Sequence, residues 1–123
     1  MVLVDTCGWI EWLTDGKLAN DYAPWFQEPE NLLVPTIVQF DLYKWTKRER
    51  DEALALRTVA LTEQATVVPL DTSLALLAGD FALEHGLALA DAVVYATARQ
   101  HEALLVTSDR HFEGLAGVEY FRK

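Results

Sequence analysis

Five short apolar runs constrain this chain more than any other feature: Val2-Leu3-Val4, Leu32-Leu33-Val34, Thr66-Val67-Val68, Leu104-Leu105-Val106 and Val118-Glu119-Tyr120-Phe121. Each has the length of a strand and little polar character on either face, so each has to be covered on both sides, which is the condition of strands inside a parallel sheet. The segments between them read as helices. Thr36 is placed to cap a helix running to about Asp51, and residues 52–64 continue as a second stretch rich in Ala and Leu. Asp71 is an N-cap for a helix ending near His85, where Gly86 offers a left-handed stop. Residues 88–101 form a further helix whose Ala90, Ala92, Ala96 and Ala98 allow close packing on a sheet. Strand and helix alternate, so the expected fold is α/β, a three-layer α/β/α sandwich with a mostly parallel central sheet.

The length of 123 residues, with 51% apolar and 24% charged, predicts a single domain over residues 1–123, with core enough to fold without disulfides or a structural metal. The one cysteine, Cys7, has no partner within the chain, which favours a reducing compartment. The opening residues lack a basic segment before an apolar one. No run reaches the ~18 apolar residues of a membrane helix. A cytoplasmic protein without a membrane role is expected.

The formal charge of −9, from 10 basic and 19 acidic residues, argues against a general nucleic-acid coat protein, because polyanions are usually met by basic surfaces. The bases are not evenly spread: Lys44, Lys47, Arg48, Arg50 and Arg57 fall together. The acids carry the stronger signal. In an open α/β sheet, ligands sit beyond the carboxyl ends of the strands. Asp5 directly follows the first predicted strand, and Asp109 follows the fourth after Thr107-Ser108. Asp91 lies near the start of its helix in an apolar setting, and Asp41 sits between Phe40 and Leu42.

Singly, each has a simpler reading. Asp5 and Asp109 serve as helix caps, Asp91 as a first-turn residue favoured by the helix dipole, and Asp41 as a partner for Lys44 on a solvated face. Together they repel one another unless a cation lies among them. An all-oxygen donor set suits Mg²⁺ or Mn²⁺, and no Cys/His spacing suggests zinc. Such a cation can polarise a phosphoryl oxygen and activate water for in-line displacement.

Four segments carry a resemblance. They are Val4-Asp5-Thr6-Cys7-Gly8-Trp9-Ile10, residues 34–45 around Asp41, Leu89-Ala90-Asp91-Ala92-Val93-Val94-Tyr95-Ala96-Thr97-Ala98, and Leu105-Val106-Thr107-Ser108-Asp109-Arg110-His111-Phe112. In order and spacing they resemble the four motifs of PIN-domain nucleases, and most closely those of VapC-type toxins. The resemblance implies a metal-dependent endoribonuclease, the toxin of a type II toxin–antitoxin pair. It assigns metal-site roles to Asp5, Asp41, Asp91 and Asp109, a hydroxyl at the site edge to Thr107, and Mg²⁺ or Mn²⁺ as cofactor. It further implies an RNA substrate, a homodimer, and an antitoxin whose C-terminal segment covers the site. Asp41 is a departure, since the family usually has the longer Glu there. That substitution keeps a second reading open, a catalytically weakened PIN-fold module that only sequesters a protein or RNA partner.

Lys44, Trp45 and Arg48 share a helical face with Asp41 at offsets of three, four and seven. Lys44 and Arg48 are therefore candidate RNA contacts, against the simpler reading of a solvated charged face. Trp9, Trp12, Trp25 and Phe26 read as core, with a partner groove as the rival. Cys7 reads as a small buried thiol, and His85, His101 and His111 are given no catalytic role.

Overall fold

The computed structural model describes all 123 residues. Five strands, β1 (Val2–Val4), β2 (Leu32–Pro35), β3 (Thr66–Val68), β4 (Leu104–Thr107) and β5 (Val118–Tyr120), form one sheet in the order β3-β2-β1-β4-β5. All four neighbouring pairs are parallel, with Leu3 opposite Leu33 on one side and Leu105 on the other. Consecutive residues of a strand face opposite sides of a sheet. Leu3 and Val4, Leu33 and Val34, and Leu105 and Val106 are all buried, so both faces are covered and the expected three-layer α/β/α arrangement is present.

Six helices supply the cover: α1 (Thr6–Leu13), α2 (Ala19–Tyr22), α3 (Thr36–Glu49), α4 (Glu52–Thr62), α5 (Thr72–His85) and α6 (Leu89–Gln100). None is long and apolar enough to cross a membrane alone. Asp71 caps α5 by accepting from Leu74 N at 2.9 Å, and Gly86 ends it with φ of +67°. In α6 every residue from Ala92 to Ala98 is buried. Its small side chains let it lie close to β2, β4 and α5 at once.

Two helix boundaries differ from those expected. Pro35, the last residue of β2, occupies the N-cap position of α3, and Thr36 is already helical. Proline's φ of −63° suits a strand that runs directly into a helix. That helix stops at Glu49 because Asp51 caps the next one, accepting from Leu54 N at 2.8 Å.

Helix α1 packs close to its neighbours through Gly8. A Cβ there would lie 2.5 Å from Tyr22 Cε1 and from Val4 Cγ1. Tyr22, which fills that space, is wholly buried, and its hydroxyl donates to Ser108 Oγ at 3.0 Å. The segment after α1 is thereby tied to the residues following β4.

Candidate active site

The chain builds β1, β2 and β3 outward in one direction, then returns to place β4 and β5 on the other side of β1. The order reverses between β1 and β4, so loops leaving their carboxyl ends diverge and open a crevice there. Asp5 leaves β1 at this point, and Ser108 and Asp109 leave β4. Asp41 and Asp91 arrive from the early turns of α3 and α6.

Asp5 is buried and held at both oxygens. Oδ1 accepts from Thr6 N at 2.8 Å, capping α1, and Oδ2 accepts from the Thr107 hydroxyl at 2.9 Å. Capping and membership of the acidic group are thus compatible roles. Burial pushes its carboxyl up to about 6, with the charges of Asp109 and Asp91 adding to the rise and the two hydrogen bonds opposing it.

Burial likewise raises Asp41, against the opposing charge of Lys44 and with Asp91 adding to the rise. Burial also raises Asp91; its hydrogen bond to His111 opposes the shift and the charge of Asp109 adds to it. The Thr6 hydroxyl, buried beside Asp41, makes no well-formed hydrogen bond, though its nearness opposes the rise at Asp41.

Thr107 is not at the rim of the crevice. It is fully buried beneath it, donating to Asp5 and accepting from Asp109 N at 2.9 Å. Both hydrogen bonds occupy the hydroxyl, so it orients the two acids from below.

The four aspartates are not equally close. Side-chain donors of Asp91, Asp109 and His111 all lie within 4.8 Å of one another, whereas Asp5 and Asp41 stand outside that set. His111, given no role from sequence, places Nδ1 2.8 Å from Asp91 Oδ2 and 3.3 Å from Asp109 Oδ1. Its proximity to Asp109 in sequence was the available signal, but the turn geometry was not visible there. Its ring is drawn toward the protonated form chiefly by the Asp91 hydrogen bond.

Cys7 also borders the site, with Sγ 3.8 Å from Asp5 Oδ2 and 3.4 Å from Ser108 Oγ. Burial and the Asp5 charge push its thiol upward. A thiol kept protonated is a poor nucleophile, in keeping with a packing role.

The basic face of α3 divides. Trp45 turns into a groove between α1, α3 and α4, lined also by Ile10, Leu13, Leu42 and Leu54. Lys44 and Arg48 stay exposed, together with Phe40 and Lys47, beside a half-buried Tyr43. Lys44 Nζ lies 5.1 Å from the Phe40 ring centroid, while Arg48 pairs with Glu49 at 3.1 Å. Trp9 and Phe26 are buried, and Trp12 stacks on Phe26 at 4.1 Å between centroids, so this aromatic group is core.

A family model described as "PIN domain" matches residues 2–118. Among solved structures, a toxin–antitoxin complex from Klebsiella pneumoniae superposes with a TM-score of 0.82 at 22% identity, covering 97% of this chain and 96% of that one. VapC20 of Mycobacterium tuberculosis, described as a sarcin-ricin loop cleaving toxin, gives 0.77 at 18% identity, covering 97% and 98%. PAE2754 from Pyrobaculum aerophilum gives 0.73 at 24% identity, covering 97% and 87%. No curated protein sequence matches the chain significantly. With the parallel sheet and the motif order agreeing with a match over nearly its whole length, the chain belongs to the PIN domain family.

Proposed function

We propose that this protein is a metal-dependent endoribonuclease that hydrolyses RNA phosphodiester bonds, acting as the toxin of a toxin–antitoxin pair. The observation that carries the reading is the gathering of Asp5, Asp41, Asp91 and Asp109 at the β1/β4 crevice, where burial and mutual charge raise three of them. Acids so arranged disfavour their own ionisation, and a divalent cation relieves the conflict. The donor set therefore fits Mg²⁺ or Mn²⁺, with Asp91 and Asp109 as direct holders and Asp5 and Asp41 completing the negative surround.

A bound divalent cation supplies positive charge to phosphoryl oxygens and activates water for in-line attack. The chain's own residues do the positioning. Thr107 fixes the Asp5 carboxylate and the Asp109 backbone from one hydroxyl. Lys44 and Arg48, with Phe40 and Tyr43 beside them, offer phosphate and base contacts on the helix that carries Asp41. The basic ridge offsets the repulsion that a polyanion meets from a chain of net charge −9.

Similar structures are described as toxin–antitoxin complexes, including a VapBC from Salmonella typhimurium bound to DNA. The apolar groove between α1, α3 and α4 is where we place an antitoxin segment, because it is lined by Ile10, Leu13, Leu42, Trp45 and Leu54 and opens along α3, the helix that carries Asp41. A segment rich in Arg and Lys suits the charge. A homodimer would cover the leucines exposed on α5 and α6, where Leu83 is 90%, Leu89 75% and Leu76 68% accessible.

The test is cleavage of total cellular RNA by partner-free protein with Mg²⁺ or Mn²⁺, beside an identically purified Asp91→Asn variant. Discrete cleavage by the natural protein, lost in the variant and in excess chelator, is expected. Full cleavage in chelator would overturn the mechanism. Absence of cleavage by a folded, metal-supplied protein would favour the sequestering module.

A further inference from the structure

His111 occupies the acidic crevice without any role from the motifs. It lies in the 3-10 turn Arg110–Phe112 that follows β4, and Asp109 caps this turn by accepting from His111 N at 2.9 Å. The cap brings the imidazole back over the crevice instead of out along the chain. Nδ1 then faces Asp91 Oδ2 at 2.8 Å and Asp109 Oδ1 at 3.3 Å, although 69% of the side chain remains accessible. A solvated imidazole has no packing reason to sit there.

The two measured contacts of His111 are close to the spacing of neighbouring ligands around one ion. With metal–ligand bonds of about 2.1 Å, adjacent donors of an octahedral cation stand roughly 3 Å apart and opposite donors roughly 4.2 Å apart. Donors of Asp91, Asp109 and His111 all lie within 4.8 Å of one another. The two carboxylates come from different elements, α6 and the loop after β4, and the imidazole adds a nitrogen that the four-aspartate set lacks.

We propose that His111 is a metal ligand, completing with Asp91 and Asp109 a mixed nitrogen–oxygen site that selects Mn²⁺ over Mg²⁺. Mg²⁺ is a hard ion bound mainly by oxygen and reluctant to lose water, whereas a nitrogen donor favours first-row transition ions, among which Mn²⁺ is the weakest binder and also suits the carboxylates. The inference rests on the proposal that these acids hold a divalent cation, but it does not require that RNA be cut. The opposing role for the ring is a built-in counter-ion, paired with the two carboxylates in place of a metal. The two roles predict changes of opposite sign when the ring is removed.

Calorimetric titration of Mn²⁺ and Mg²⁺ into the metal-free protein, without RNA and repeated over rising pH because a ligating ring must give up its proton, separates them. The His111→Ala variant keeps the backbone amide that the Asp109 cap uses, and circular dichroism checks that it folds. The natural protein is expected to bind Mn²⁺ more tightly than Mg²⁺. In His111→Ala, Mn²⁺ affinity should fall roughly tenfold or more, with a smaller change for Mg²⁺. The electron paramagnetic resonance spectrum of bound Mn²⁺ should lose its nitrogen coupling. Unchanged or tighter Mn²⁺ binding by the variant would overturn the ligand role while leaving the nuclease reading intact. Failure of the natural protein to bind either ion would overturn both.

Discussion

Thr107 donates a 2.9 Å hydrogen bond to Asp5, joining residues at the ends of adjacent strands β4 and β1. The same hydroxyl accepts from Asp109 N. A Thr107→Val variant keeps the side-chain shape and removes both bonds, leaving one oxygen of a buried carboxylate with only the Cys7 thiol at 3.8 Å. Outer-shell changes of this kind cost about 10–100-fold in metal affinity or activity. Cleavage should fall by that order in the folded variant, and Thr107→Ser should restore much of it, as measured by initial rates on a fixed RNA.

Asp5 gives a pH dependence with a definite sign. Its carboxyl titrates near about 3.9 in an unfolded chain and at about 6 in the fold. Between those values the folded chain binds the extra proton, so this group's contribution to metal-free stability is greatest below about pH 4 and is lost as pH rises through 6. The loss is of order 3 kcal/mol from ~1.4 kcal/mol per unit. Asp5→Asn keeps a capping side chain and removes the charge. In chelator at pH 7 its melting temperature should exceed that of the natural protein, with the gap narrowing toward pH 4, while cleavage is abolished. A variant less stable than the natural protein at pH 7 would contradict the buried-charge account.

Asp41 is half-buried on α3 and outside the set formed by Asp91, Asp109 and His111. Asp41→Glu extends the carboxylate by one methylene toward the crevice. Turnover at saturating metal should rise on the order of tenfold, equivalent to a barrier lowered by ~1.4 kcal/mol. No gain, or a loss, would show that the natural helix already places the shorter acid correctly.

Lys44 and Arg48 differ in how free their charges are, since Arg48 pairs with Glu49 and Lys44 has no ion pair. In an Asp91→Asn background that does not cleave, single-stranded RNA binding measured over a salt series reports phosphate contacts directly. Lys44→Ala should reduce the magnitude of the log–log salt slope by about 0.7. Arg48→Ala should reduce it less. Equal affinities and slopes in all three proteins would remove the ridge from the RNA path.

Much of this molecule is legible in its residues. The five strands follow from runs such as Leu104-Leu105-Val106, which have no face to spare for water, and α5 from Asp71 and Gly86 at its two ends. Helix α1 was less visible, because Thr6, Cys7 and Gly8 are weak helix formers and only the Asp5 cap and close packing on Tyr22 hold them in place. The Thr36 boundary failed because proline's own geometry starts α3. Within the crevice, the sequence offers Asp5, Asp41, Asp91 and Asp109 as candidates, but their unequal distances are not legible in it. That inequality depends on how far each helix carries its side chain, and on a three-residue turn that returns His111 to the crevice.

The central position of β1 sets an order of events. Its residues are made first, yet it pairs with β2 on one side and β4 on the other, and Asp5 meets Thr107 only after β4 has been added. A chain growing from its amino end therefore carries Asp5 and Asp41 well before Asp91 is made, and all three before Thr107 and Asp109 exist. The crevice that gathers the four acids is therefore complete only after β4 and the residues that follow it have been made.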